Sequence, residues 1–237
     1  DPQNRRSQTQ SENLKTFQHL LEIAIEFQIP KIVLLSSANA YGPRPENAQF
    51  LKETAPLLGS GRFSEMRALV ELDLYAQSQF WRSPETELVI LRPANIVGTV
   101  HNAPSNFLRL ARVPTLMGFD PMLQVVHQDD VVQALERALT PGIRGIFNIA
   151  GPPPAPLSEI LHRLKRATLP IPYTLAKGGL GSLFKVGLTK FPAAELDFIR
   201  FVCMVDDSHA RAKLDYEPVF GLSETLREVD RLRWGSS

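Results

Sequence analysis

The sequence predicts an α/β fold: a parallel sheet flanked by helices, followed by a smaller, mostly helical C-terminal lobe. Three observations lead there. Short apolar runs at 31–36 (KIVLLS), 87–92 (ELVILR) and 145–150 (GIFNIA) alternate with segments of helical period, which is the pattern of parallel strands covered on both faces. The composition changes after Gly151, where Pro152, Pro153, Pro154 and Pro156 make a stiff connection. A length of 237 residues accommodates one large α/β domain, or a domain and a lobe.

Along the chain, Ser11 is placed to cap a helix whose apolar residues Leu14, Phe17, Leu21 and Ala24 recur at three- and four-residue steps and which ends at Ile29-Pro30. The strand at 31–36 comes next, then a loop punctuated by Pro43, Pro45, Pro56, Gly59 and Gly61. A second helix over 62–82 carries Phe63, Met66, Val70, Leu74 and Trp81 along one side and stops at Ser83-Pro84. The strand at 87–92, a short helix at 106–112 and a strand at 123–127 (LQVVH) follow. That last strand runs into a helix which Asp129 or Asp130 is suited to cap. The strand at 145–150 completes the alternation, and a helix is expected from 157 to 166.

Composition excludes several classes of function. Lys plus Arg total 26 against 25 for Asp plus Glu, so nothing suggests polyanion or nucleic-acid binding. The single Cys203 forms no internal disulfide and no cysteine-type zinc site, which fits a cytoplasmic location. Five scattered histidines lack metal-ligand spacing, and no apolar run approaches the roughly 20 residues that cross a bilayer. The Gly178-Gly179-Leu180-Gly181 run follows no apolar strand and reads as a flexible turn rather than a phosphate loop.

The informative stretch is Ser36-Ser37-Ala38-Asn39-Ala40-Tyr41-Gly42, at the carboxyl end of an apolar strand, where open parallel sheets bind ligands. With it come L-R-P-x-N-x-x-G at 91–98, V-H-x-D-D at 126–130, Phe147-Asn148-Ile149-Ala150-Gly151, and a late strand, helix and turn over 206–218. In this order, on these elements, the sequence resembles the extended short-chain dehydrogenase/reductases, the NAD-dependent epimerases and dehydratases. The resemblance implies a Rossmann-like parallel sheet, here lacking its first strands, and covers nearly the whole chain from Glu12 onward.

It also implies residue roles. Ser37 falls at the catalytic Ser/Thr position, where its hydroxyl would bond the reacting substrate oxygen; a strand-end cap is the plain alternative. Asn95 matches the substrate-contacting asparagine, with Ser37, Ala38 and Asn39 on the same substrate side. Ser36, Pro93, Ala94 and Ile96 would lie beside the nicotinamide of NAD or NADP, a cofactor expected to bind a complete chain and not these 237 residues alone. His127 and Asp130 match family positions as well, though a packed histidine and a helix cap account for them equally.

Three departures qualify the resemblance. The family's Y-x-x-x-K reads Phe63-Ser64-Glu65-Met66-Arg67 here, so a catalytic pair would be Phe63, which has no proton to exchange, and Arg67, which is too basic to act as a base. Loss of a positioned acid/base costs about 10²- to 10⁴-fold in rate. Arg67 could instead clamp the cofactor or be a plain surface arginine, and Tyr41 and Tyr75 are the nearest spare phenols. Leu123 stands where nucleotide-sugar members place a diphosphate-gripping arginine. No G-x-x-G-x-x-G pyrophosphate turn occurs in the sequence.

The expectations are therefore a dinucleotide-binding part at 1–150, with 99–123 joining a substrate lobe at 151–237. The activity expected is NAD(P)-dependent oxidoreductase chemistry on a sugar or other hydroxyl or carbonyl substrate. The alternatives are a catalytically degenerate homologue acting as sensor or assembly subunit, and an inactive cofactor-free fragment. An open edge on the 31–36 strand, and wide apolar faces on the first two helices, suggest association, with a homodimer as the simplest form.

Overall fold

The computed structural model describes residues 2–61, 64–99, 104–172, 201 and 203–231. Helix α1 (Pro2–Glu26) leads into strand β1 (Lys31–Leu35). Helix α2 (Ser64–Arg82) is followed by β2 (Glu87–Pro93) and β3 (Asn95–Val97). Then come β4 (Arg112–Leu116), β5 (Met122–Leu123), β6 (Val125–His127), α3 (Gln128–Ala138) and β7 (Gly145–Ile149). The C-terminal part holds β8 (Ala155–Pro156), α4 (Leu157–Arg163), β9 (Ala167–Ile171), α5 (Ser208–Leu214) and α6 (Leu222–Arg231).

The central sheet has the order β1-β2-β7, all parallel, with Leu35 level with Leu91 and Leu91 level with Phe147. Alternate side chains on β2 go to opposite faces, as a pleated strand requires. Leu88 and Ile90 pack with Leu21 of α1 and Ala76 of α2, whereas Val89 and Leu91 pack with Val131 and Ala134 of α3 and Ala210 of α5. Both faces are thus covered, which is why the run 87–92 reads as continuously apolar. Among the described residues β1 pairs only with β2, so its other edge carries no strand.

A second core gathers Val97, Leu108, Val113 and Leu116 with Ile160, Leu161, Leu226 and Val229. Helices dominate the described part of the chain after Gly151, and none of the described helices is long and apolar enough to cross a membrane.

Several boundaries differ from expectation for identifiable reasons. Helix α1 starts at Pro2 instead of being capped by Ser11; proline suits a first helical turn, and the Gln and Arg residues after it are good helix formers. Helix α2 does not bury Leu74 and Trp81, which are 49% and 90% exposed; its inward face is Val70, Asp73, Ala76 and Gln79. The expected helix at 106–112 is a 3-10 helix, Pro104–Arg109, followed by β4. Strands β4 and β9 pair in parallel and each contains a proline, Pro114 and Pro170, a residue that argues against strand assignment from sequence.

The expected strand at 123–127 is divided at Gln124. Its side-chain Oε1 accepts from the Val205 N–H at 2.8 Å and its Nε2 donates to the Val205 carbonyl at 3.0 Å, so a side chain takes the place of a strand partner. Helix α3 is capped by His127, whose Nδ1 accepts from the Asp129 N–H, and not by Asp129 or Asp130. Asp130 instead accepts from the Val219 N–H at 2.9 Å, and His127 stacks on Phe220 at 3.8 Å, so the V-H-x-D-D segment fastens the C-terminal turn. The Gly178–Gly181 turn lies outside the described residues.

Candidate functional site

The register places Leu35, the last residue of β1, level with Leu91, two residues before the end of β2, and the Ser36 N–H donates to the Leu91 carbonyl at 2.8 Å, extending the ladder one step past Leu35. Ser37–Asn39 and Pro93–Asn95 therefore emerge side by side at the carboxyl edge of the sheet. Chain geometry there is fixed by close backbone packing. Gly42 has φ +79°, and a Cβ on it would come within 2.9 Å of the Gly59 Cα, so only glycine fits.

Ser37 caps the 3-10 helix Ala38–Tyr41 by accepting from the Asn39 N–H at 3.1 Å. That bond uses a lone pair and leaves the hydroxyl proton available to donate. Asn95, half-buried, donates through Nδ2 to the Gln124 carbonyl at 3.0 Å. Ala38 and Asn39 are buried, and the Ala38 carbonyl accepts from the Cys203 thiol at 3.5 Å. Burial pushes that thiol up to about 12, which makes Cys203 an inert core group at neutral pH. Pro93 and Ala94 are buried, Ile96 is half-buried, and the Ala94 N–H donates to the Ile149 carbonyl at 2.8 Å.

Beneath this edge lies a buried polar network that the sequence reading missed. Asp73 of α2, fully buried, takes a bidentate pair from Arg92, Nη2 to Oδ1 at 2.7 Å and Nε to Oδ2 at 3.0 Å. Ser36 donates its hydroxyl to the same Oδ2 at 2.6 Å. Arg92 Nη1 donates to the Tyr41 hydroxyl at 2.8 Å, and Tyr41 donates in turn to Asn148 Oδ1 at 2.8 Å. Asn148 Nδ2 reaches the carbonyls of Leu51 and Asp206. Ser36 of β1's end, Arg92 of β2 and Asn148 of β7 are thereby tied together just below the carboxyl edge of the sheet. The one sequence signal was Asp73 itself, a carboxylate three residues after Val70 and three before Ala76 on the apolar side of α2.

Burial pulls the Arg92 pKa down, but the hydrogen bond and charge of Asp73 outweigh it and leave the net shift upward. Burial raises the Tyr41 phenol despite Arg92, so a residue that already donates and accepts has no proton to trade. Tyr75 donates to Glu22 at 2.7 Å across the α1–α2 contact. Neither spare phenol stands in for a catalytic tyrosine. Arg67 is exposed on α2, and Phe63 lies outside the described residues.

A cleft of about 370 Å³ opens beyond the end of β7, lined by Phe50, Gln124, Gly151, Pro153, Asp206 and Arg211 among others; neither Ser37 nor Asn95 lines it. No cluster of metal-ligating side chains occurs among the described residues.

Comparison with known proteins bears on all of this. A model of the NAD dependent epimerase/dehydratase family matches residues 2–150. Uncharacterised proteins of Mycobacterium tuberculosis and Mycobacterium bovis are 27% identical over 207 residues, covering 86% of this chain and 55% of their own length, so the chain spans about half of each. A UDP-glucuronic acid 4-epimerase from Bacillus cereus, solved with NAD, shares the fold at TM-score 0.65 and 17% identity, over 92% of this chain and 67% of that one. A dTDP-glucose 4,6-dehydratase from Streptomyces venezuelae, also solved with NAD, gives TM-score 0.68 and 19% identity, over 94% and 67%.

Proposed function

The chain belongs to the NAD dependent epimerase/dehydratase family, and on that premise we propose that it takes part in NAD(P)-dependent oxidoreductase chemistry on a sugar or other small hydroxyl or carbonyl substrate. The observation that carries this reading is that Ser37 and the Pro93–Ala94 segment leading to Asn95 leave the carboxyl ends of the adjacent parallel strands β1 and β2. When bound, the nicotinamide cofactor supplies a hydride acceptor or donor. The chain's own residues fit its nicotinamide end: the backbone of Pro93–Ile96 offers a fixed apolar wall, held from below by the Arg92 network. Ser37 keeps a proton to donate to the reacting oxygen, and Asn95, its Nδ2 held by the Gln124 carbonyl, would orient a substrate hydroxyl through its amide oxygen. Ser36 supports the edge from below, since its own hydroxyl is bonded to Asp73.

The pyrophosphate end has no glycine-rich cradle in this sequence. We assign that part of the site to residues outside these 237, brought in along the open edge of β1. We assign 151–237 together with 99–123 to a substrate lobe; the packing of Leu108, Val113 and Leu116 in one core with Ile160 and Leu226 supports that division. The exposed Leu20 of α1, Phe27 in the turn after it, and Leu74 and Trp81 of α2 suit a homodimer contact, and a cytoplasmic setting suits the unpaired Cys203. A second reading, a dinucleotide-binding sensor or assembly subunit without turnover, is favoured by Phe63 and by the exposed Arg67.

The test is an NMR titration of the protein with NADH and NADPH. Amide shifts concentrated at 36–39 and 93–96 are expected; shifts confined to the cleft beside Phe50 and Pro153 contradict the assignment. With a substrate that the protein binds, Phe63→Tyr with Arg67→Lys creates or raises oxidoreductase activity if turnover is limited by the missing phenol, and leaves none detectable if the second reading holds.

A further inference from the structure

Arg109 ends the 3-10 helix Pro104–Arg109 and is 5% exposed. One guanidinium nitrogen, Nη2, donates to the Gly98 carbonyl. The other, Nη1, is fully buried and has no hydrogen-bond partner. No ion pair neutralises it among the described residues, and burial is the only influence on its pKa, which it lowers. Starting more than two units above any other side chain's value, the group still carries its charge at neutral pH. The nearby Arg166 adds no counter-charge: its Nε donates to the Leu108 carbonyl, and its own charge is met by Asp230 at 2.7 Å.

A buried, unmatched guanidinium is among the costliest arrangements a fold can hold. It is understandable where the missing partner arrives as a ligand, because a planar fork is suited to carboxylate and phosphate oxygens. Placement adds direction. Gly98 follows β3, which begins at Asn95, so three residues of extended chain put Arg109 roughly 10 Å from the edge where the reacting oxygen would sit.

We propose that Arg109 is an oxyanion-recognising residue of the substrate lobe, taking a phosphate or carboxylate that the substrate carries about 10 Å from its reacting oxygen. The inference rests on the proposed reading for the location of that oxygen, and on Arg109 alone for the ligand's charge. The anion bonds Nη1 while Nη2 stays on the Gly98 carbonyl, so the guanidinium is held at one corner and offers the other. Access requires the short 3-10 helix to lift, a local opening of the kind open to an element so brief and flanked by the exposed Leu110 and Ala111.

The experiment is thermal melting at constant ionic strength with inorganic pyrophosphate or malonate, on the wild type, Arg109→Lys and Arg109→Met. The wild type is expected to gain roughly 2–4 °C from at least one anion, Lys to keep part of the gain and Met to lose it. Preference for pyrophosphate identifies a phosphoryl group, and preference for malonate a carboxylate. Without anion, Arg109→Met melts no lower than wild type, since it removes the unmatched charge. A Met variant that melts lower, with no anion effect in the wild type, overturns the proposal and makes Arg109 a strut for Gly98. Should Met fail to fold, the wild-type guanidinium ¹⁵N resonances decide: movement on adding either anion supports the site, and none overturns it. Neither readout uses a dinucleotide, so this proposal and the assignment at Ser37 fail separately.

Discussion

Two buried arginines, one beneath the central sheet and one beside the second core, make an instructive pair. Arg92, 1% exposed, has Nε, Nη1 and Nη2 all engaged, by Asp73, Tyr41 and the Glu53 carbonyl. Arg109, nearly as buried, has Nη2 engaged, Nη1 without a partner and no carboxylate beside it among the described residues. The first is a finished structural joint beneath the sheet edge. The second is an open valence beside the second core. Equal burial thus serves opposite ends: a matched charge fixes geometry, while an unmatched one invites a partner.

Substitutions separate the two. The largest effect is expected from Asp73→Ala, which strands the Arg92 charge and frees the Ser36 hydroxyl; denaturant unfolding should show a loss of about 3–5 kcal/mol. Next comes Tyr41→Phe, which deprives Asn148 of a donor and Arg92 of an acceptor, for about 1–3 kcal/mol by the same measurement. Arg109→Met stands in contrast, with no loss in the absence of anion.

The pH dependence gives smaller contrasts of opposite sign. Burial raises the Asp130 carboxyl, and its Oδ2 has no partner. Its folded pKa lies above the ordinary value near 3.9, so stability falls as pH rises from that value through the folded pKa. Asp130→Asn should flatten that part of the melting-temperature profile while keeping the acceptor for Val219. Asp206 moves the other way: the hydroxyl and N–H of Ser208 lower it. Its contribution is present above the ordinary carboxylate pKa and is lost as pH falls through the depressed one. Asp206→Asn should remove only that acidic limb, the smallest effect of the set.

The sheet was legible because its strands are covered on both faces; Leu88 to Leu91 must all be apolar when α1 and α2 pack on one side and α3 and α5 on the other. The β4–β9 pair was not, because Pro114 and Pro170 carry the opposite local signal. Helical period alone also misjudged α2, where Asp73 holds an inward position that Leu74 was expected to share. Long-range partners explain both gaps in the site. Asp73 and Arg92 are 19 residues apart, Tyr41 and Asn148 are 107 apart, and no local pattern announces such pairs. Motif order did put the S-S-x-x-x-Y-G and L-R-P segments at the carboxyl ends of two apolar strands, and the register has those strands, β1 and β2, side by side.

The most direct measurement is a crystal structure of the protein grown with NADH. The account predicts a nicotinamide ring against the Ser37 hydroxyl and the backbone of residues 93–96. A ring seated elsewhere, in the cleft between Phe50 and Pro153 for example, with the Ser37 edge untouched, would contradict it.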